Sequence, residues 1–315
     1  MAPADQPDAP GTERLAMITV TRDGSSPDER SRLAPSSRRD DVPAPSTPYR
    51  LASRVAYPEK TVVRVGDVRI GAGRPVVIAG PCSVESETQI IESALTAREA
   101  GAQLLRGGAF KPRTSPYSFQ GLGLEGLPLL VRARAESGLP IVTEVMEPAM
   151  VGPVAEVADV LQIGSRNMQN FPLLRAAGQA GRPVLLKRGF AATIEEWLLA
   201  AEYILAEGNP NVMLCERGVR SFDPSTRNLL DLSCVPLLAK LTHLPVLVDP
   251  SHGAGRSDLV ETMGIAAVAA GADGLLVEMH PHPEQSLTDA DQAIDPETLR
   301  SLITRADRVY AALHN

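Results

Sequence analysis

The chain has 315 residues, 43% of them hydrophobic and 22% charged, with a net charge of −7. That is globular composition with enough apolar residue for a sizeable core, and the acidic balance argues against a nucleic-acid or an anionic-membrane partner. Three cysteines without a CxxC pair offer no disulfide framework, and the chain holds neither an apolar run of about 18 residues nor a charged-then-apolar leader, so it reads as cytoplasmic.

Residues 1–50 hold eight prolines, many Ser, Asp and Arg, and one short apolar run, LAMITV. Such a segment buries too little to offset its ordering entropy, which predicts a largely disordered extension over 1–47. Residues 48–73 then form a linker and a hairpin, TVVRVGDVRIG, turning at Gly66-Asp67.

From residue 74 to 315 a rhythm sets in. Short apolar runs recur as PVVIAG (75–80), QLLRGG (103–108), PIVTEV (140–145), VLQIGS (160–165), PVLLKRG (183–189), VMLCERG (212–218), PVLVDPSH (245–252) and GLLVEMH (274–280). Between them lie stretches such as ETQIIESALTAREAG and IEEWLLAAEYILAEG, with helical spacing and a closing glycine. Continuous apolar strands imply a parallel sheet buried on both faces. Eight strand–helix units fit a (β/α)8 TIM barrel, with the valines of the hairpin capping its bottom. The rival, an open doubly wound sheet, would place a glycine-rich loop after its first strand, where this chain has GPCSVES.

Nearly every apolar run ends in a polar or charged residue: Cys82, Arg106, Glu144, Arg166, Lys187, Arg217, His252 and Glu278. In a barrel these would meet at one mouth. One group is cationic: Arg106, Lys111, Arg113, Arg166, Lys187 and Arg217. Arginine offers a planar fork to carboxylate or phosphate and lysine a point charge, so the group predicts a substrate bearing two phosphates and a carboxylate. Pairing of individual cations with Glu144 or Glu216 is the structural alternative. The second group, Cys82, His252, Glu278 and Asp289, offers sulfur, nitrogen and oxygen donors suited to a divalent transition metal. Cys215 and Cys234 read as structural, Tyr117 and Phe119 as loop packing, and Asp249-Pro250-Ser251-His252 as a tight strand exit that fixes the imidazole.

AGPCSVES, LRGGAFKPRTSPYSFQG, QIGSRNMQNF, LLKRG, CERG, VDPSHGAGR and LLVEMHP, in this order over residues from about 48 to 313, resemble the 3-deoxy-D-arabino-heptulosonate 7-phosphate synthases, in the subfamily shared with the phosphooctulosonate synthases. The resemblance implies a metal-dependent condensation of phosphoenolpyruvate with erythrose 4-phosphate and water at the head of the shikimate pathway. It implies Cys82, His252, Glu278 and Asp289 as metal ligands, with Mn²⁺ first and Fe²⁺, Co²⁺, Zn²⁺ or Cd²⁺ as alternatives. It implies Arg106, Lys111, Ser165, Arg166, Lys187 and Arg217 at phosphoenolpyruvate, and Arg113, Thr114, Ser115 and Asp249 at the sugar phosphate. Lys111, Glu144 and His252 are the expected catalytic residues, Lys111 for proton transfer and Glu144 for orienting water.

The sequence KPRTS, where phosphooctulosonate synthases read KANRS or similar, resembles the four-carbon specificity; arabinose 5-phosphate is the alternative substrate. A Schiff-base aldolase working through Lys187 and a non-catalytic scaffold are readings from other classes. The resemblance further implies a homo-oligomer, dimer or tetramer. Some relatives carry a ferredoxin-like regulatory domain before the segment corresponding to PYRLASR. About fifty residues cannot hold that domain, so LAMITVTRDGSSPDERSRL reads as a remnant of it at most, and a separate regulatory protein is left as the partner that would supply control. Deleting residues 1–45 is expected to leave folding intact and kcat within about twofold, checked by a urea melt and by steady-state assay of the truncated chain.

Overall fold

The computed structural model describes residues 47–113 and 115–314. The extension expected over 1–47 lies outside these residues except for Thr47, and so does Thr114.

A hairpin comes first, β1 (Val63–Val65) against β2 (Val68–Ile70), with Val63 opposite Ile70. Then β3 (Val76–Gly80), β4 (Leu104–Arg106), β5 (Ile141–Glu144), β6 (Val160–Ile163), β7 (Val184–Lys187), β8 (Val212–Glu216), β9 (Val246–Val248) and β10 (Gly274–Glu278) pair in parallel, each with its neighbour in sequence. β10 closes the ring on β3, Gly274–Glu278 lying beside Val76–Gly80. This is a closed eight-stranded TIM barrel. Its helices are α1 (Glu87–Ala100), α2 (Gly126–Ser137), α3 (Val151–Val157), α4 (Phe171–Gln179), α5 (Ile194–Ala206), α6 (Cys234–Leu241), the short α7 (Pro250–Ala254), α8 (Ser257–Ala269) and α9 (Pro296–His314).

Local chemistry fixes the helix ends. Ser86 caps α1 by accepting from the Gln89 amide at 3.1 Å, and Gly101 ends it at φ 103°. Thr193 and Glu196 form a reciprocal capping box on α5. The helices turn apolar faces inward; α5 buries Trp197, Leu198, Ala201 and Ile204.

Strand alternation divides the core in two. Val77, Leu105, Ile141, Leu161, Leu186, Leu214, Val248 and Val277 point outward against the helices. Val76, Ile78, Leu104, Val142, Val160, Leu185, Met213, Cys215, Leu247 and Leu276 point inward. Val63, Val65 and Ile70 of the hairpin join this inner set, so the hairpin plugs the end of the barrel away from the polar strand termini. Cys215 packs inside the barrel and Cys234 sits on α6, both buried.

The apolar runs overshoot the strands. The run 245–252 yields a strand only over Val246–Val248; Asp249 then accepts the His252 amide at 2.9 Å and starts α7, with Pro250 in its first turn. Cys82, Arg166, Arg217 and His252 therefore sit just beyond their strands, not within them. Tyr117 is 97% exposed and does not pack its loop, whereas Phe119 is half-buried. Ile70→Ala, which empties part of the plug, is expected to cost about 2–5 kcal/mol in a urea melt; an unchanged midpoint would mean that the hairpin does not share the barrel core.

Candidate active site

The polar strand termini converge on a cavity of about 290 Å³. Its wall carries Lys111, Arg113, Arg166, Lys187, Arg217 and Arg227 against two carboxylates, Glu144 and Asp289. Such an excess of fixed positive charge in a partly enclosed space selects anions. Ser115, Ser165 and Phe190 complete much of the wall.

The cations differ in how they are held. Arg106, ending β4, donates to Glu278 Oε1 at 2.8 Å and sits below the main cavity, in a smaller recess shared with Cys82, Gln162 and His252. Lys187, ending β7, donates to Asp249 Oδ2 at 2.5 Å. Lys111 donates to Asp289 Oδ2 at 2.7 Å and also touches Cys82 Sγ. Arg166 and Arg217 lie over the Phe190 ring, 5.4 and 4.8 Å from its centroid, with no carboxylate partner among the described residues. Arg113 Nη1 and Ser165 Oγ are buried and make no hydrogen bond among the described residues. Buried donors facing a cavity without a protein partner point to a ligand that supplies acceptors.

The expected pairing with Glu144 or Glu216 takes another form. Glu216 is held by Arg188, at 3.0 Å, and Arg188 also reaches Asp231 at 2.9 Å. Glu144 accepts from Gln162 at 3.1 Å and lies so close to Gly164 that a Cβ there would collide with its carboxylate. Burial raises the Glu144 carboxyl above its ordinary range against the pull of Lys187, Lys111 and Arg106.

Asp249 was expected at the sugar phosphate. It is instead fully buried beneath the cavity wall, with Oδ1 on the His252 amide and Oδ2 on Lys187 Nζ and His252 Nδ1. A carboxylate so satisfied has no face left for an anionic substrate, and it would repel one. Burial would raise it, but His252 and Lys187 hold it well below the carboxylate range.

The four expected metal ligands do come together. Donor atoms of Cys82, His252, Glu278 and Asp289 lie within 4.8 Å of one another. His252 Nδ1 meets Asp249 Oδ2 at 2.7 Å. In the neutral ring a proton on Nδ1 satisfies Asp249 and leaves the Nε2 lone pair facing Glu278 Oε1, 3.1 Å away. Burial lowers the imidazole to about 4, so it is neutral at pH 7. Glu278 stays ionised: burial would raise it, but His252, protonated in the acid range where this carboxyl titrates, together with Arg106 and Lys111 outweighs that and holds it down at about 2. A neutral nitrogen lone pair facing a carboxylate oxygen is unfavourable unless a cation lies between them. The cluster also draws in the Lys111 ammonium. Mixed S/N/O donors with this electrostatic demand fit a divalent metal ion.

Residues of the site not singled out from the sequence include Arg227, Phe190, Gln162 and Ser118. Arg227 reaches Asp289 Oδ1 at 3.3 Å and Gln292 Oε1 at 2.5 Å. It comes from the long loop between β8 and α6, not from a strand terminus, so the periodicity that marks the other cations gave no signal for it.

A profile described as the DAHP synthetase I family matches residues 52–310. The chain belongs to the DAHP synthetase I family. A phospho-2-dehydro-3-deoxyheptonate aldolase of Thermotoga maritima is 53% identical over 266 residues, covering 84% of this chain and 79% of that protein. A 2-dehydro-3-deoxyphosphooctonate aldolase of Rhodopseudomonas palustris is 36% identical, covering 77% and 90%. A crystal structure of the Thermotoga maritima heptonate enzyme superposes with a TM-score of 0.82 at 52% identity, over 85% of this chain and 78% of that one. The family match spans both the hairpin and the barrel described above.

For this member of the DAHP synthetase I family, metal affinity should rise with pH. Burial, then Glu278, push the Cys82 thiol up to about 12, so a metal taking the thiolate must release that proton. His252 and the two carboxylates are already deprotonated, and release no proton in the neutral range. The apparent Kd for Mn²⁺ should therefore tighten about tenfold per pH unit between about pH 6 and 8, read by competition with a chelating dye. A pH-independent Kd would mean that Cys82 is not a ligand.

Proposed function

We propose that the chain condenses phosphoenolpyruvate with erythrose 4-phosphate and water, giving 3-deoxy-D-arabino-heptulosonate 7-phosphate and phosphate, at the head of the shikimate pathway. The observation that carries this reading is the cavity with six cations and two carboxylates set against a Cys–His–Glu–Asp cluster. Two phosphates and a carboxylate match that charge, and an aldehyde oxygen is a suitable guest for a Lewis acid. Greater identity to the heptonate relative, 53% against 36% for the octonate one, supports the four-carbon aldehyde over arabinose 5-phosphate, as does KPRTS.

Phosphoenolpyruvate C3 bonds to the aldehyde carbon, water adds at C2, and cleavage of the C2–O bond releases phosphate. A divalent metal, Mn²⁺ first among the candidates, held by Cys82, His252, Glu278 and Asp289, would supply polarisation of the aldehyde oxygen. Arg106, Ser165, Arg166, Lys187 and Arg217 hold the phosphate and carboxylate of phosphoenolpyruvate. Arg113, Thr114 and Ser115 hold the sugar phosphate. Much of the rate gain is then positioning, up to about 7–11 kcal/mol in ideal cases. Lys111, at the junction of cavity and metal cluster, is the proton carrier, and Glu144, its carboxyl raised by burial, orients the water. Asp249 acts through others: it fixes the His252 tautomer and anchors Lys187.

A Schiff base through Lys187 is disfavoured by the same contact. Its nitrogen is tied to a buried, ionised Asp249 at 2.5 Å, whereas a nucleophilic amine must carry a free lone pair.

Phosphate release should be fast with erythrose 4-phosphate and slow with arabinose 5-phosphate, should vanish on exhaustive chelation, and should return with Mn²⁺. Full activity after chelation would rule out the metal reading, and preference for the pentose phosphate would rule out the substrate. Arg113→Ala should raise KM for the sugar phosphate tenfold or more, the loss of a charge-assisted bond of about 1.5–3 kcal/mol, with a smaller change for phosphoenolpyruvate. An equal rise for both would dissolve the division between the two anion sites.

A further inference from the structure

The four donors of the metal cluster stand on unequal supports. Glu278 ends β10, its amide tied to Ser251 Oγ at 3.0 Å, and His252 lies on α7, oriented by Asp249. Cys82 and Asp289 lie on loops 207 residues apart in sequence, yet Sγ and Oδ2 are 3.2 Å apart. Asp289 is also the one non-glycine residue with positive φ among the described residues, at φ 52°. A strained residue on a loop keeps its conformation only where its surroundings impose it.

Lys111 and Arg227 hold the Asp289 carboxylate itself, and the residue after Cys82 and the residue before Asp289 tie the two loops to each other. Ser83 Oγ and Thr288 Oγ1 are 2.7 Å apart, and the two residues are 1% and 2% exposed. Each side of this contact is tied to the α1 end of the barrel wall. Ser83 O accepts from Gln89 Nε2 at 3.3 Å, and Glu85 Oε1 accepts from the Leu287 amide at 2.9 Å. Neither hydroxyl lines the cavity. A buried hydroxyl pair thus joins the two loops one residue from a donor on each.

We infer that Ser83 and Thr288 form a clasp that positions Cys82 and Asp289 for the metal, an inference that rests on the metal reading above. They are positioning residues, acting through their neighbours. Breaking the clasp should leave the barrel intact and let the two loop donors drift apart, weakening the ion's hold without removing any ligand.

The test uses the full chain stripped of metal, titrated with Mn²⁺ by calorimetry and melted with and without it. Thr288→Val keeps the side-chain shape and removes the hydroxyl; it should weaken Mn²⁺ about tenfold. Ser83→Ala should do the same, and the double variant should be no weaker than either single, because one bond is lost once. Thr288→Ser should restore near wild-type affinity. The Mn²⁺-induced rise in Tm should shrink in Thr288→Val, whereas a merely structural residue would lower the metal-free and metal-loaded Tm alike. Should Thr288→Val fail to fold, Ser83→Ala gives the same reading. Wild-type Mn²⁺ affinity in Ser83→Ala, alongside weakened binding in Cys82→Ser, overturns the clasp and leaves the metal reading standing. Equal Mn²⁺ affinity in wild type and Cys82→Ser removes Cys82 from the ligand set, and the clasp with it; absence of Mn²⁺ binding by the wild type overturns the metal reading.

Discussion

Closure of the parallel ring by β10 on β3 is the constraint on which everything else depends. Once the last strand pairs with the first, the polar groups at all eight strand ends must share one mouth. The inward-facing apolar side chains of every strand must also fill one narrow interior, which the hairpin seals from the other end. Apolar packing and chemistry are thus segregated along the barrel axis. The lower layers hold the molecule together, and the upper ends are left to carry charge.

Carrying that charge in a protected place is costly, because each ion loses hydration that only a well-placed partner replaces. The mouth meets this demand with a relay of buried contacts. Lys187 and His252 share Asp249, and His252 faces Glu278, which Arg106 also holds. Most of these residues end a strand or begin a helix, so the rigidity of the ring is transmitted to the charges. The relay leaves two kinds of group unsatisfied. Arg113, Arg166 and Arg217 lack carboxylate partners among the described residues, and the His252 lone pair opposes an anionic oxygen. The first is a demand for anions and the second a demand for a cation. The two demands lie side by side at the barrel mouth.

Support of the site follows the same hierarchy. Donors on regular elements are held by the backbone that made those elements. Donors on loops need side-chain ties, which the loops after β3 and β10 find in each other. Glycine makes room where backbone and side chain approach too closely for a Cβ. Gly80 turns out of β3 at φ 150° against the Arg106 carbonyl, and Gly164 lets the Glu144 carboxylate lie against the chain.

Much of this was legible in the sequence. Eight apolar runs at regular spacing gave the barrel, because a strand buried on both faces must be apolar throughout. The polar residue closing each run gave most of the site, because barrel topology sends those ends to one place. The family motifs grouped Cys82, His252, Glu278 and Asp289, and their donors do converge. Only the tertiary structure decided the rest. Asp249 reads as one more polar residue at a strand end, yet it lies under the wall and not in it, because a carboxylate between a lysine and an imidazole is satisfied from both sides. Arg227 enters the cavity from a loop without periodicity, and Ser83 finds Thr288 across 205 residues of chain. Periodicity reports which face of an element is buried; which side chains from distant loops touch is set by how the closed ring brings those loops together, and no local pattern encodes that.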